Sequence, residues 1–329
     1  MVASGQPVGH PGRSRKTRFR KYIVTFTSRA YGMTIRSDIP LLGPQPTDEG
    51  GADVTMCEGP VPDAIENVET ETLHWAASAE ELLLHVPRVG RFHVRGGCEV
   101  RYAPVAGIAS EMVQSYLLGS CLGAVLHQRG RQVLHGSVVA QHGAAFAICG
   151  KSGTGKSTSA AWLVEHGARM MSDDLAVFSD VAPPQVVSGY PQAKLTGAAL
   201  AGLGRETAEL RKLPDDRDKY ALPRAADFLD GEAPLRGIFV LERSNRAEPA
   251  VMRLEGGQAI AALVKHTYRR HYVVGSHAAR HYQAWAGIAD RIPLVMIARP
   301  RASDSTQFVV SAISRAMSET IAEGPEQTA

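Results

Sequence analysis

The chain has 329 residues, 44 % of them apolar, enough to pack one large domain or two modest ones. Its formal net charge of +3 is too small to argue for nucleic acid. The four cysteines, Cys57, Cys98, Cys121 and Cys149, show neither a C-x-x-C pair nor metal-type spacing, so nothing in them asks for an oxidising compartment.

No apolar run approaches a membrane span, and no apolar stretch follows the basic N-terminus as a signal peptide would need. The expectation is a soluble, cytoplasmic protein with no membrane span and no nucleic-acid partner. Residues 1–21, rich in Gly, Pro, Ser and Arg, read as a basic flexible tail. Eight basic residues precede the first acid, Asp38: Arg13, Arg15, Lys16, Arg18, Arg20, Lys21, Arg29 and Arg36.

From residue 22 the pattern turns strand-like, beginning with Tyr22-Ile23-Val24-Thr25-Phe26. Gly and Pro crowd residues 43–62 and predict a long loop. Leu82 to Val86 and Phe92 to Val94 predict further strands. A helix is expected from Ala109 to Gln128, because Met112, Tyr116, Leu117, Cys121, Leu122, Val125 and Leu126 recur at helical spacing. Gly130 closes it. Residues 22–128 are therefore expected to form a small strand-rich subdomain with a linking helix.

Two strands follow, near 132–140 and 144–149, joined at Gln141-His142-Gly143, which has hairpin composition. Gly150 to Gly155 is a glycine-rich loop. Lys156 to His166 reads as a helix stopped by Gly167, and Arg169 to Ser172 as a strand ending in Asp173-Asp174. Later, Leu195 to Leu210 and Gln258 to Tyr268 are expected to be helical. Gly237 to Leu241 and Pro293 to Ile297 are expected to be strands. A polar tail is expected over 316–329, which bounds a second unit at 129–315.

Gly150-Lys151-Ser152-Gly153-Thr154-Gly155-Lys156-Ser157 fits G-x4-G-K-[ST] at every specified position. Its backbone N–H groups can turn inward around phosphates, and the following helix aims its positive end at them. Gly150 through Thr158 are thus expected to bind ATP, with Lys156 on the β- and γ-phosphates and Ser157 on Mg2+. Asp173 and Asp174 end the strand of a β–loop–α–β unit. A crossover should return that strand parallel to the first, which puts both at the edge bearing the loop. One carboxylate can hold metal and the other can accept a hydroxyl proton. The expected division is Asp173 as base and Asp174 with Ser157 on the metal; strand register alone decides it. His135, in the strand leading into the loop, can face the phosphates.

The run Leu134-His135-Gly136-Ser137-Val138, the loop, and Ser172-Asp173-Asp174 together resemble the catalytic domain of the HPr kinase/phosphorylase family. The resemblance implies an α/β P-loop kinase domain of the HPr kinase/phosphoenolpyruvate carboxykinase type, preceded here by a small strand-rich subdomain. It implies serine phosphorylation on a peptide or small protein, a homo-oligomer, and a supporting role for His135 beside the acidic catalytic group. Thr158 stands where true HPr kinases carry Glu, and their Glu-x-Arg-Gly signature is absent, which argues against the reverse reaction. Gly130-Arg131-Gln132-Val133-Leu134-His135 and Asp218-Lys219-Tyr220 are similar to segments of the HPr-kinase-like enzymes of lasso-peptide clusters. That likeness implies the C-terminal serine of a precursor peptide as acceptor, with Lys219 neutralising charge on the moving phosphoryl group. The alternatives are an HPr-type protein kinase and a regulatory ATPase without kinase activity.

Overall fold

Alternation dictates the first sheet. In Gly90–Arg95 and Glu99–Pro104, Phe92, Val94, Val100 and Tyr102 are buried, and the basic residues between them point the other way. The computed structural model describes residues 25–48, 50–179, 182–214, 218–301 and 305–322. Among them, nine strands form one N-terminal sheet, in the order Gln45–Pro46, Phe26–Ala30, Met33–Ser37, Val54–Glu58, Glu99–Pro104, Gly90–Arg95, Glu81–Val86, Trp75–Ala77 and Thr70–Glu71.

Residues 22–24 of the first expected strand, and the tail at 1–21, lie outside the described residues; the first described strand is Phe26–Ala30. The expected loop at 43–62 is interrupted by two strands. Val54 and Met56 bury alternate side chains, and Val54–Glu58 lies parallel to a neighbour on each side. That pairing outweighs the flanking breakers.

The helix expected over 109–128 is not regular. Ser110–Tyr116 passes into a π-helical turn, Leu117–Cys121, before Leu122–Gln128 resumes. The wide turn keeps Leu117 and Cys121 in the core while Gly119 and Ser120 border a cavity. Gly130 then takes a φ of +76° and ends the run.

The second sheet is built around Gln132–Gln141, which pairs with Ala144–Gly150 through a two-residue turn, His142 and Gly143, both at positive φ. Arg169–Ser172 lies antiparallel to Gln132–Gln141, so it runs in the direction of Ala144–Gly150 with one antiparallel strand between them. Ala144–Gly150 is also parallel to Glu232–Ser244, which in turn is parallel to Leu294–Pro300. Every residue of Ala144–Gly150 is buried because helices cover both sheet faces. Phe146 and Ile148 join Val309 and Ile313 of Thr306–Ala322 on one side. Ala145 and Ala147 join Leu263 and Trp285, of Gly256–His266 and Gly275–Arg291, on the other. The architecture is mixed α/β with a strand-rich N-terminal sheet.

Two expectations fail here, and one helix lies where none was expected. The helix foreseen over 195–210 is a strand, Gln192–Thr196, followed by a short helix, Gly197–Gly202, capped by Thr196 Oγ1. The chain stays helical past residue 316 to Ala322, with Met317 fully buried. Gly275–Arg291 was not foreseen, although His281, Trp285 and Ile288 mark its buried face.

Candidate functional site

Strand ends and one helix start converge on a cavity of about 620 Å3. Gly150 ends its strand with a φ of +148°; a Cβ there would fall 2.4 Å from the Leu241 carbonyl oxygen. The loop is held from behind by the ends of the two parallel strands. Arg299 Nη1 donates to the Thr154 carbonyl at 3.0 Å, and Arg243 Nη2 donates to the Gly153 carbonyl at 3.4 Å. Gly155, at a φ of +100°, begins the helix without a side-chain cap. The first-turn N–H groups therefore suit an anion, reinforced by the helix dipole.

Among the loop residues expected to bind nucleotide, Gly150, Lys151, Ser152, Gly153, Gly155, Lys156, Ser157 and Thr158 line the cavity. Thr154 does not; it is 3 % exposed and its Oγ1 donates to the Lys151 carbonyl at 2.8 Å. Lys156 Nζ donates to the same carbonyl at 3.2 Å. Burial lowers the Lys156 pKa, and Asp173 and Asp174 pull it back.

The carboxylates stand opposite with different surroundings. Asp173 is buried. Its Oδ1 accepts from Ser137 Oγ at 2.6 Å and Ser157 Oγ at 2.8 Å, and its Oδ2 accepts from the Lys194 amide at 2.7 Å. Hydrogen bonds to a charged group contribute about 1.5–3 kcal/mol each, so Asp173 is strongly fixed. Asp174 takes a φ of +79° and turns away toward Lys194 and His135. Its Oδ2 accepts from Lys194 Nζ at 2.9 Å, and its Oδ1 lies 3.4 Å from His135 Nδ1. Burial alone would raise the Asp174 carboxyl, but Lys194, then His135 and Lys219, hold it well below the usual carboxylate range. Burial would lower Lys194, but Asp174 and Tyr190 hold it well above an ordinary lysine.

His135 Nδ1 is 3.2 Å from the Asp174 carbonyl. A carbonyl only accepts, so Nδ1 carries the proton. Burial lowers the His135 pKa against the pull of Asp174, which keeps the ring neutral near pH 7. Lys219 lines the same cavity from the strand Lys219–Pro223. His135, Lys219, the loop and both aspartates thus meet at one place. The expected pairing of Ser157 with Asp174 is not what forms; Ser157 meets Asp173.

The donor set at Ser157 and Asp173 is hard oxygen, as Mg2+ requires. Among the described residues no cluster of three His, Cys, Asp or Glu side chains could hold a metal. Ser157 and Asp173 suit a cation that takes its other ligands from phosphates and water.

Sequence reasoning missed Lys194, Ser137, Arg211 and the Tyr268-Arg269 corner. The signal for Lys194 was slight: it stands between buried Ala193 and Leu195, so it had to face the other way. The N-terminal part also contributes a wall, from Leu42, Glu111, residues 114–116 and residues 118–120. The Leu42 amide donates to Gln114 Oε1 at 2.8 Å, which ties that wall together.

No family model and no curated protein matches the chain. Among solved structures it is similar to the Hpr(Ser) kinase/phosphatase from Coxiella burnetii, at 10 % identity and a TM-score of 0.31, over 58 % of this chain and 98 % of that one. A likeness that faint says nothing about residues or chemistry.

Proposed function

We propose that the chain is an ATP- and Mg2+-dependent kinase that phosphorylates a serine of a peptide or small protein. One observation carries this reading. A G-x4-G-K-S loop and a carboxylate pair face each other across one cavity, with Lys156, Lys194 and Lys219 around it. The loop amides and Lys156 would bind the triphosphate. Ser157 and Asp173 would hold Mg2+, whose charge offsets that of the phosphates.

The expected roles of the two aspartates are therefore exchanged. Asp173 Oδ1 is already taken by Ser137 and Ser157. Among the described residues, Asp174 Oδ1 has only His135, whose Nδ1 lies nearer the carbonyl, so it is the oxygen suited to accept a hydrogen bond from the acceptor hydroxyl. The serine Oγ bonds to the γ-phosphorus, the bond to the β-phosphate oxygen breaks, ADP leaves, and the proton passes to Asp174. In a loose transition state that proton moves late, so a weakly basic carboxylate suffices and its main work is orientation. Lys219 and Lys194 would offset charge on the transferring group.

We assign the acceptor to the C-terminal serine of a precursor peptide of the lasso type, on the sequence resemblance. The test is ATP turnover with Asp174→Asn and wild type. Intact-mass readout would cover serine-terminated peptides, a folded HPr-type protein and small hydroxy metabolites. Wild type should add one phosphoryl group to a peptide, and Asp174→Asn should bind ATP yet transfer about 10²- to 10⁴-fold more slowly. Phosphate release with no acceptor gaining mass would make the chain a regulatory ATPase instead.

A further inference from the structure

A second, much smaller void shares Ser157 and Asp173 with the main cavity. Its volume is about 10 Å3, the room one water needs. Ala160, Ala161, Val164 and Met170 give it an apolar side, and Ser172 and Arg224 a polar one.

Arg224 is 4 % exposed, and its position is fixed. Its amide donates to the Pro191 carbonyl at 2.9 Å, and its Nη1 donates to Glu165 Oε1 at 2.8 Å. Glu165 is the last residue of the helix that begins at Lys156. Among the described residues, however, Arg224 Nε and Nη2 have no partner, and neither does the fully buried Ser172 Oγ. Leaving such donors unmet in the interior is costly, more so on a charged group. The walls are mostly apolar, so it is the unpaired Arg224 and Ser172 groups that would draw a water in.

We propose that this void is a one-water site, and that Arg224, acting through the water, is a positioning residue for Asp173. All four hydrogen bonds of the water are used. A water accepts from Arg224 Nε and Nη2 and donates to Ser172 Oγ and the Asp173 carboxylate. That carboxylate already accepts from Ser137, Ser157 and the Lys194 amide, and a carboxylate has about four acceptor sites. The water fills the fourth, so Asp173 would support Mg2+ through the Ser157 hydroxyl that donates to it. Arg224 then ties the far end of the helix, through Glu165, to the carboxylate at its near end. The role in metal holding rests on the kinase reading; the water site does not.

Two measurements decide it. The first is a high-resolution crystal structure of the full chain: an ordered water between Arg224 and Ser172 is expected, and a dry void overturns the proposal. The second is Mn2+ binding, read by electron paramagnetic resonance, to the ADP complex of wild type, Ser172→Ala and Arg224→Lys. Lost outer-shell support typically costs about 10- to 100-fold in metal affinity, and that loss is expected in both variants, with metal-free ADP affinity unchanged. Ser172→Ala removes one oxygen and keeps the packing, so it remains informative if Arg224→Lys folds poorly. Unchanged Mn2+ affinity in Ser172→Ala overturns the positioning role. A wild type that binds no ADP would sink the kinase reading, and the crystal structure would still decide the water site.

Discussion

Asp174 and Lys194 set each other's protonation. The Asp174 carboxyl lies well below the ordinary 3.8 because Lys194 offsets its burial. A depressed carboxyl contributes stability above its unfolded pKa and loses it as pH falls through the folded value. Lys194→Met removes the first offset and leaves the burial. The acid limb of kcat/KM should therefore move to higher pH, and turnover at neutral pH should fall; a pH–rate profile of the two proteins checks this. An unmoved limb would free Asp174 from the proton-accepting role. At this scale, Lys156, Ser157 and the aspartates were legible because motif and strand end are local in sequence. Lys194 was not, because it reaches Asp174 from a strand 20 residues away. Nor could the sequence say which aspartate meets Ser157. That depends on the positive φ of Asp174, which breaks the strand alternation assumed for neighbours.

Between elements, the contact that shapes one wall of the cavity is made by a residue with no side chain. Gly123 lies in Leu122–Gln128 against Tyr268, and a Cβ there would come within 2.7 Å of the ring. Tyr268 lines the cavity, and its ring centroid is 5.8 Å from that of His135. Alanine is the better helix former by about 1 kcal/mol, so Gly123→Ala would be stabilising in a free helix. Here the clash should reverse the sign, lower the melting temperature by several degrees and displace Tyr268. ATP binding should hold while acceptor KM rises, measurable by calorimetry and steady-state kinetics. Periodicity placed this helix but could not show its π turn, which arises because Leu117 and Cys121 face the core while Gly119 and Ser120 face the cavity. The strand at Val54–Glu58 was hidden for a related reason: its stability comes from partners on both sides, not from its own composition.

Across the whole molecule, buried histidines set the response to acid. His127, whose Nε2 lies 2.7 Å from the Tyr268 carbonyl, is lowered to about 4 by burial, and His281, in ring contact with it, to about 3. Both stay neutral in the fold, whereas the unfolded chain takes up their protons near the ordinary 6.5. Stability should therefore decline as pH falls from 6.5 toward 4, by up to about 1.4 kcal/mol per pH unit for each. Melting temperatures at pH 7 and pH 5 test this, and His127→Asn should flatten the dependence. The α/β pattern around the glycine-rich loop was readable from short apolar runs and glycine stops. The helices Gly275–Arg291 and Thr306–Ala322 were not, because apolar and polar residues are mixed in similar number along them and tertiary packing selects the buried face.

The cluster that buries Ile35, Phe92 and Leu122 of the N-terminal part also holds Val133, Leu175 and Val177 from the second sheet. The nine-stranded sheet therefore has no interior wholly its own, and its oil is common property with the strand that carries His135. A chain cut near residue 129 would bare that shared layer on both pieces. Loss of the N-terminal sheet would then be felt at the glycine-rich loop as loosened footing beneath His135, and the two halves should melt together.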